Sequence, residues 1–363
     1  MVDINRNSPT RKDNRSNKKK RRRRILLAII LTFLVAGLGY AGYVGYHAYQ
    51  AVNKSYQQIK GRGDKSALRK SPVYVSSDPF SVLILGIENY ASGKKGDPGR
   101  TDTMMVATFN PKEQTMKLVS IPRDSRVRIP GWRKDKINAA YGHGGKELSI
   151  KTVENLLDIP IDYYVTVNFD GFKNIVNILG GVDVNVPFNF NDIDPQWHRY
   201  YFYKGPQHLS GNAALVYARM RYKDPRGDFG RNTRQREIVS AVIGKLSSPS
   251  AILKIGDIAD QLGNNIETNM KISDAIAFRQ KYTDFNSSKI QQLQIKGSDL
   301  YLGYPKEYFF QPDPQSLDEV STILKTHLGL ISPSSSSGST TSSGSSSSDS
   351  QSSSNDSQNS SNH

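Results

Sequence analysis

The stretch Thr103–Ile121, TMMVATFNPKEQTMKLVSI, decides how this chain folds. Two apolar runs rich in strand-forming residues, Thr103–Phe109 and Met116–Ile121, flank NPKEQ, where Pro111 presets a turn φ. The reading is an antiparallel hairpin. Working outward, Ser81–Ile87 (SVLILGI) and Tyr163–Asn168 (YYVTVN) carry the same strand signal. Helical patterns fall at Lys151–Leu157, at Phe172–Leu179 before Gly180-Gly181, and at Gly211–Arg219. Three more follow at Asn232–Leu246, Ile272–Tyr282 and Leu317–Leu328. Strand, hairpin, helix, strand and then a helical half predict an α/β fold, a three-layer α/β/α domain with a mixed central sheet.

The ends differ from this middle. Residues 1–24 hold eleven Lys/Arg against Asp3 and Asp13, so nine of the sixteen net positive charges sit there. That concentration argues against a nucleic-acid partner for the rest of the chain. Ile25–Tyr46 carries no charge over 22 positions, roughly 33 Å as a helix, enough to cross a bilayer. Tyr40, Tyr43 and Tyr46 mark the far interface and the basic block the near one, so the N-terminus is expected in the cytoplasm and the remainder outside the cell membrane. A cleaved signal peptide competes, but its apolar core would be shorter and Tyr43 spoils the small-x-small site at Ala41-Gly42-Tyr43.

The expected organisation is a basic tail (1–24), a transmembrane helix (25–46), a polar stalk (47–76), a globular domain (77–331) and a Ser-rich disordered tail (332–363). The last segment has no large apolar side chain after Ser332 to offset the entropy of ordering. The chain has no Cys, which excludes disulfides, thiolate metal sites and a Cys nucleophile.

Charge-bearing residues cluster where strands and helices end. Arg100 and Asp102 precede one hairpin strand and Arg123-Asp124 follow the other, so hairpin geometry alone brings Asp102 and Arg123 to one open end. In Tyr217–Gln235, YARMRYKDPRGDFGRNTRQ, Arg219 and Arg221 share a side only if the helix stops near Arg219. Arg231, Arg234 and Gln235 have helix-face spacing, and Gly227 and Gly230 suggest a tight loop approaching a ligand.

Six arginines against Asp102 and Asp228 favour a polyanion, and a phosphate beside Asp calls for a divalent cation, so pyrophosphate with Mg2+ is expected, Mn2+ being the alternative. Lys136, in DKINAAYGHGG, adds a point charge for the same anion. Taken singly, such residues are ordinary surface ion pairs; their density argues otherwise. Asp228-Phe229-Gly230 is the kinase triplet, but no G-x-G-x-x-G or His-Arg-Asp loop precedes it. His143 and His198 are isolated, without a metal-pair spacing or a G-x-S-x-G elbow.

The motifs GRTDTMMVATFNP (99–111), LVSIPRDSRVRIPG (118–131), DKINAAYGHGG (135–145), IDYYVTVNFDGF (161–172), LGGVDVNVP (179–187), the LVYARMR run ending at 221 and DFGRNTRQ (228–235) resemble the LytR-CpsA-Psr family of Gram-positive bacteria. The resemblance runs from about Phe80 to Leu246. It implies a phosphotransferase that moves a glycopolymer, teichoic acid, capsule or a related wall polymer, from a polyprenyl-pyrophosphate carrier to the C6 hydroxyl of N-acetylmuramic acid in peptidoglycan. On that resemblance Arg123, Arg219, Arg221 and Arg231 bind pyrophosphate with Arg100 close by, Asp102 holds magnesium, and Asp228 and Gln235 match further site positions. Arg123, Arg219 and Arg221 would hold leaving-group charge, with Asp228 or a neighbouring carboxylate as base. The family's Asp after the first strand is Glu88 here, in GIENY, which puts its metal-ligand role in doubt. The lipid needs an apolar groove, for which Val153–Leu157 and Ile175–Leu179 are candidate walls. Two other readings are a membrane-anchored regulator or lipid-pyrophosphate-binding module without turnover, and a pyrophosphatase.

Overall fold

The computed structural model describes residues 56–87, 99–248, 265–283 and 285–332. The basic tail, the expected membrane span, Glu88 and all of the Ser-rich tail beyond Ser332 lie outside these residues. Among the described residues no helix is long and apolar enough to cross a membrane.

The predicted hairpin forms: β2 (Thr101–Asn110) and β3 (Thr115–Ser120) run antiparallel with Met105 opposite Ser120 and Asn110 opposite Thr115, following β1 (Phe80–Ile87) in the chain. The Asn110 side chain accepts from the Lys112 and Glu113 N–H groups and closes the turn. Next come two three-residue strands, β4 (Arg126–Arg128) and β5 (Lys134–Lys136), then α1 (Ala139–Leu157), β6 (Tyr163–Asn168) and α2 (Phe169–Ile178). β7 (Val182–Val186), β8 (Phe190–Ile193), β9 (Arg199–Phe202) and β10 (Gly205–Leu209) precede α3 (Gly211–Arg219) and α4 (Asp228–Leu246). β11 (Ile266–Thr268), α5 (Ile272–Lys281), β12 (Ile290–Gln294), β13 (Gly297–Leu302), β14 (Glu307–Pro312) and α6 (Pro314–His327) complete the fold.

The central sheet has the order β11-β6-β1-β2-β3-β12. It is mixed as expected: β1 pairs antiparallel with β2 but parallel with β6, and β12 joins parallel to β3. Strand alternation divides the core. Leu83, Leu85, Met104, Val106 and Val119 pack with Ile150, Val153 and Leu157 of α1 and Val320 and Leu324 of α6. Phe80, Val82, Met105, Ala107 and Leu118 belong to a second cluster that includes Tyr282 and Phe285, with Val239, Ile243 and Phe278 packed against it. A third cluster joins Val176 of α2, β7, Phe190, Phe202 and Tyr217 of α3, and carries the site's arginine-bearing helix end.

Two expectations need correction. Residues 56–76, assigned from polarity to the stalk, fold onto the domain: Ile59 and Val75 are buried, Arg69 pairs with Asp162 at 2.6 Å and Arg62 with Glu154 at 2.6 Å. Their charges have half-buried partners on the domain, which composition does not reveal. The helix expected from Asn232 begins at Asp228, so the Asp-Phe-Gly triplet is its first turn rather than a preceding loop.

Candidate active site

The open end of the hairpin behaves as its geometry requires. Arg123 Nη1 donates to Asp102 Oδ1 at 2.6 Å. α3 stops at Arg219, and Met220 is extended (φ −54°, ψ 131°), which lets Arg219 and Arg221 reach one side. Both arginines join Asp102, Thr103, Arg123, Arg231 and Gln235 on the wall of a cavity of about 270 Å³. Arg219 also lies over the Phe169 ring, 4.6 Å from its centre.

The electrostatics of this wall favour an anion. Burial lowers the Arg231 pKa, Asp228 opposes that, and the like charges of Arg123 and Arg221 add to it. For Arg123 burial acts downward as well, but Asp124 and Asp102 outweigh it and the pKa rises. Nε of Arg231 is buried without a hydrogen-bond partner, and Nε of Arg123 lies 3.5 Å from Asp124 Oδ2, so the two guanidinium groups are only partly satisfied by the protein.

Not every expected residue reaches the wall. Asp228 stands behind it, 2.8 Å from Arg231 and 3.3 Å from Arg221 Nε, where it fixes the two guanidinium groups. Lys136 turns away, 3.1 Å from Glu307 and 3.5 Å from Asp124 and over the Phe309 ring, so its charge is spent on ion pairs. Arg100 is exposed and off the cavity wall. Arg234 shares the face of Arg231 by spacing, yet it is 1% exposed and bonded to Asp224 and to the Met220 and Tyr217 carbonyls. Gly230 serves that same structure: a Cβ there would lie 1.8 Å from Asp224 Oδ2, so the glycine admits a buried carboxylate, not a ligand. Arg226 and Arg234 bond Asp224 strongly enough to lower its pKa although burial acts upward.

Asp224 carried no signal beyond a loop carboxylate before Pro225, and Thr103, Asn168, Phe169 and Tyr222 were also missed on the wall. His143 is a stacking partner, its ring 4.0 Å from that of Trp132. Among the described residues no three His, Asp or Glu side chains form a metal cage. Asp102 supplies one carboxylate beside the anion-binding wall, a donor set that suits Mg2+ sharing its other ligands with phosphate and water.

Ile84, Val167, Phe172 and Val239 are also on the wall of a second, adjacent cavity of about 320 Å³, lined almost wholly by apolar side chains including Phe80, Phe109, Ile175, Ile243 and Phe278. Of the two candidate lipid walls, Ile175 lines this cavity, whereas Val153 and Leu157 are fully buried in the opposite core.

The LytR_cpsA_psr family profile matches residues 42–326. The chain belongs to that family. It is 48% identical over 320 residues to the polyisoprenyl-teichoic acid–peptidoglycan teichoic acid transferase TagV of Bacillus subtilis, covering 86% of this chain and 81% of the relative. A TagU transferase of Bacillus licheniformis is 38% identical, over 83% of this chain and 94% of the relative. The crystal structure of B. subtilis TagV superimposes with a TM-score of 0.64 at 51% identity, over 70% of this chain and 98% of TagV. A family structure, YwtF (TagT) with bound octaprenyl pyrophosphate lipid, has a TM-score of 0.59 at 34% identity, over 75% of this chain and all of that one.

Proposed function

We propose that the protein transfers a wall glycopolymer of the teichoic acid class from a polyprenyl-pyrophosphate carrier to the C6 hydroxyl of N-acetylmuramic acid in peptidoglycan. The observation that carries this reading is the adjacency of the cationic cavity to the apolar one across shared wall residues, an arrangement matched to an amphiphile with a pyrophosphate head. Its support from outside the chain is the similarity to TagV and TagU, which are teichoic acid transferases, and to TagT with its lipid pyrophosphate.

The sugar hydroxyl attacks the phosphorus nearest the polymer; an O–P bond forms, the bridging P–O bond breaks, polyprenyl phosphate leaves and the hydroxyl proton passes to solvent water. Arg123, Arg219, Arg221 and Arg231 hold the charge that develops on the leaving group, and Asp228 keeps Arg221 and Arg231 aimed. Two arginines engage Asp228, so its role is positioning, and its expected use as a base is set aside. Mg2+ held by Asp102 would neutralise phosphate charge. The same reading anchors the chain in the cell membrane through Ile25–Tyr46, with the basic block in the cytoplasm and a three-layer domain outside.

Full-length protein in detergent, given Mg2+, a polyprenyl-pyrophosphate-linked glycan and peptidoglycan strands, is expected to yield a phosphodiester-linked product. Arg219→Ala should lower the rate by about 100-fold or more, and chelation of Mg2+ or Asp102→Asn should do the same. Lipid binding without any product would leave a binding module, and polymer phosphate released to water alone would leave a pyrophosphatase.

A further inference from the structure

A third cavity, about 620 Å³, opens beside the cationic one and shares Phe169, Leu215, Arg219, Arg221 and Tyr222 with it. Its outer wall is the β8–β9 hairpin, whose tip carries Trp197, 81% exposed, while Tyr222 opposite the tip's chain is 94% exposed. Rings scattered singly on a surface need no explanation, but these two line the same cavity.

Trp197 is held out firmly. Its φ is +67°, a conformation uncommon for a bulky residue. Asp194 builds the turn that imposes it: the Asp194 carbonyl accepts from Trp197 N–H at 3.0 Å, and its carboxylate accepts from the Gln196 and His198 N–H groups at 2.9 Å and from the Tyr200 hydroxyl at 3.2 Å. A backbone set before binding adds little entropic cost when the ring it carries binds.

The charge of the cavity selects its occupant. Apart from the two arginines of the pyrophosphate clamp, its charged walls are Asp170, Asp192 and Asp194 against Lys173, which pairs with Asp170 at 2.8 Å. With Arg219 and Arg221 counted, three carboxylates balance three cations, so the cavity has no net charge to draw a polyphosphate polymer and suits hydroxyl and acetamide groups, while the aromatic rings suit the C–H face of a pyranose. We propose that this cavity seats the acceptor, a neutral N-acetylated glycan strand that stacks on Trp197 and delivers its hydroxyl toward Arg219 and Arg221. The proposal rests on the transferase reading and names its acceptor subsite.

Trp132 and Trp197 are the two tryptophans of the chain, so Trp132→Phe leaves Trp197 as the sole indole. In full-length Trp132→Phe protein, a β-1,4-linked N-acetylglucosamine tetramer is expected to shift Trp197 emission saturably. Trp197→Ala should raise the acceptor KM about tenfold, equivalent to about 1.4 kcal/mol, with kcat and octaprenyl pyrophosphate affinity unchanged and the same melting temperature. An unchanged KM with silent emission overturns the proposal, and so does a loss of octaprenyl pyrophosphate or polymer binding in Trp197→Ala, which would give the surface to the donor. Failure of the wild-type protein to bind octaprenyl pyrophosphate would instead sink the transferase reading itself.

Discussion

The two faces of the central sheet are built from the same strands and nearly the same residue types, yet one is closed and the other is hollow. On the closed face Leu83, Leu85 and Val106 are fully buried beneath α1 and α6. On the other, Phe80, Val82 and Ile84 look into the apolar cavity beneath α2, α4 and α5. Apolar alternation states that both faces are covered, not how far the covering helices stand off. The difference shows that a hydrophobic stripe is compatible with a packed core and with a lipid groove, and that helix spacing separates the two.

Adjacent residues give the sharpest way to break that comparison. Leu85→Ala is expected to cost roughly 2–5 kcal/mol, because a sealed site cannot relax, whereas Ile84→Ala, at a cavity wall, should cost about half as much. Urea unfolding of the two variants checks this, and equal losses would mean that the cavity face is as tightly packed as the other.

The closed face also has a pH limit. His327 of α6 is 2% exposed and hydrogen-bonded to Thr108 Oγ1 of β2 at 2.8 Å and to Thr115 Oγ1 of β3 at 2.9 Å. Burial, with Lys117 adding to it, lowers its pKa from 6.5 to about 4. The unfolded chain therefore takes up a proton before the folded one does. The contribution is whole above pH 6.5 and is lost as pH falls toward about 4, a loss of about 3 kcal/mol across that window. The unfolding midpoint should drop accordingly, and His327→Gln should flatten the profile between those pH values.

On the hollow face, filling should matter more than truncation. Val239 lies on the walls of both the cationic and the apolar cavity. Val239→Trp is expected to change stability by about 1 kcal/mol or less because there is space to receive the ring. It should weaken octaprenyl pyrophosphate binding about tenfold and spare inorganic pyrophosphate, as measured by calorimetry. Equal weakening of both would place the damage at the arginines instead of the groove.

Much of this site was legible in advance. The hairpin at Thr103–Ile121 fixed the meeting of Asp102 and Arg123, because strand pairing joins residues at equal distances from a turn. Arg219 and Arg221, two apart, can share a side only if the helix stops between them, and α3 ends at Arg219. Arg231 and Arg234 show where that legibility stops. Both are buried on α4, but Arg231 lines the cavity while Asp224, ten residues back in a loop, consumes Arg234. Lys136 was misplaced for the same reason, since its partner Glu307 is 171 positions away.

The sequence by itself determined the four strands β1, β2, β3 and β6, the end of α3, the family and the sign of the charge at the site, since periodicity, turn residues and side-chain type are local properties; the short strands β11 and β12 that edge the sheet carry no such signal. Only the tertiary structure decided which arginines are spent on buried carboxylates, which apolar face is left hollow and which aromatic rings remain exposed. Each of those outcomes depends on distances between segments far apart in the chain, and no local pattern encodes them.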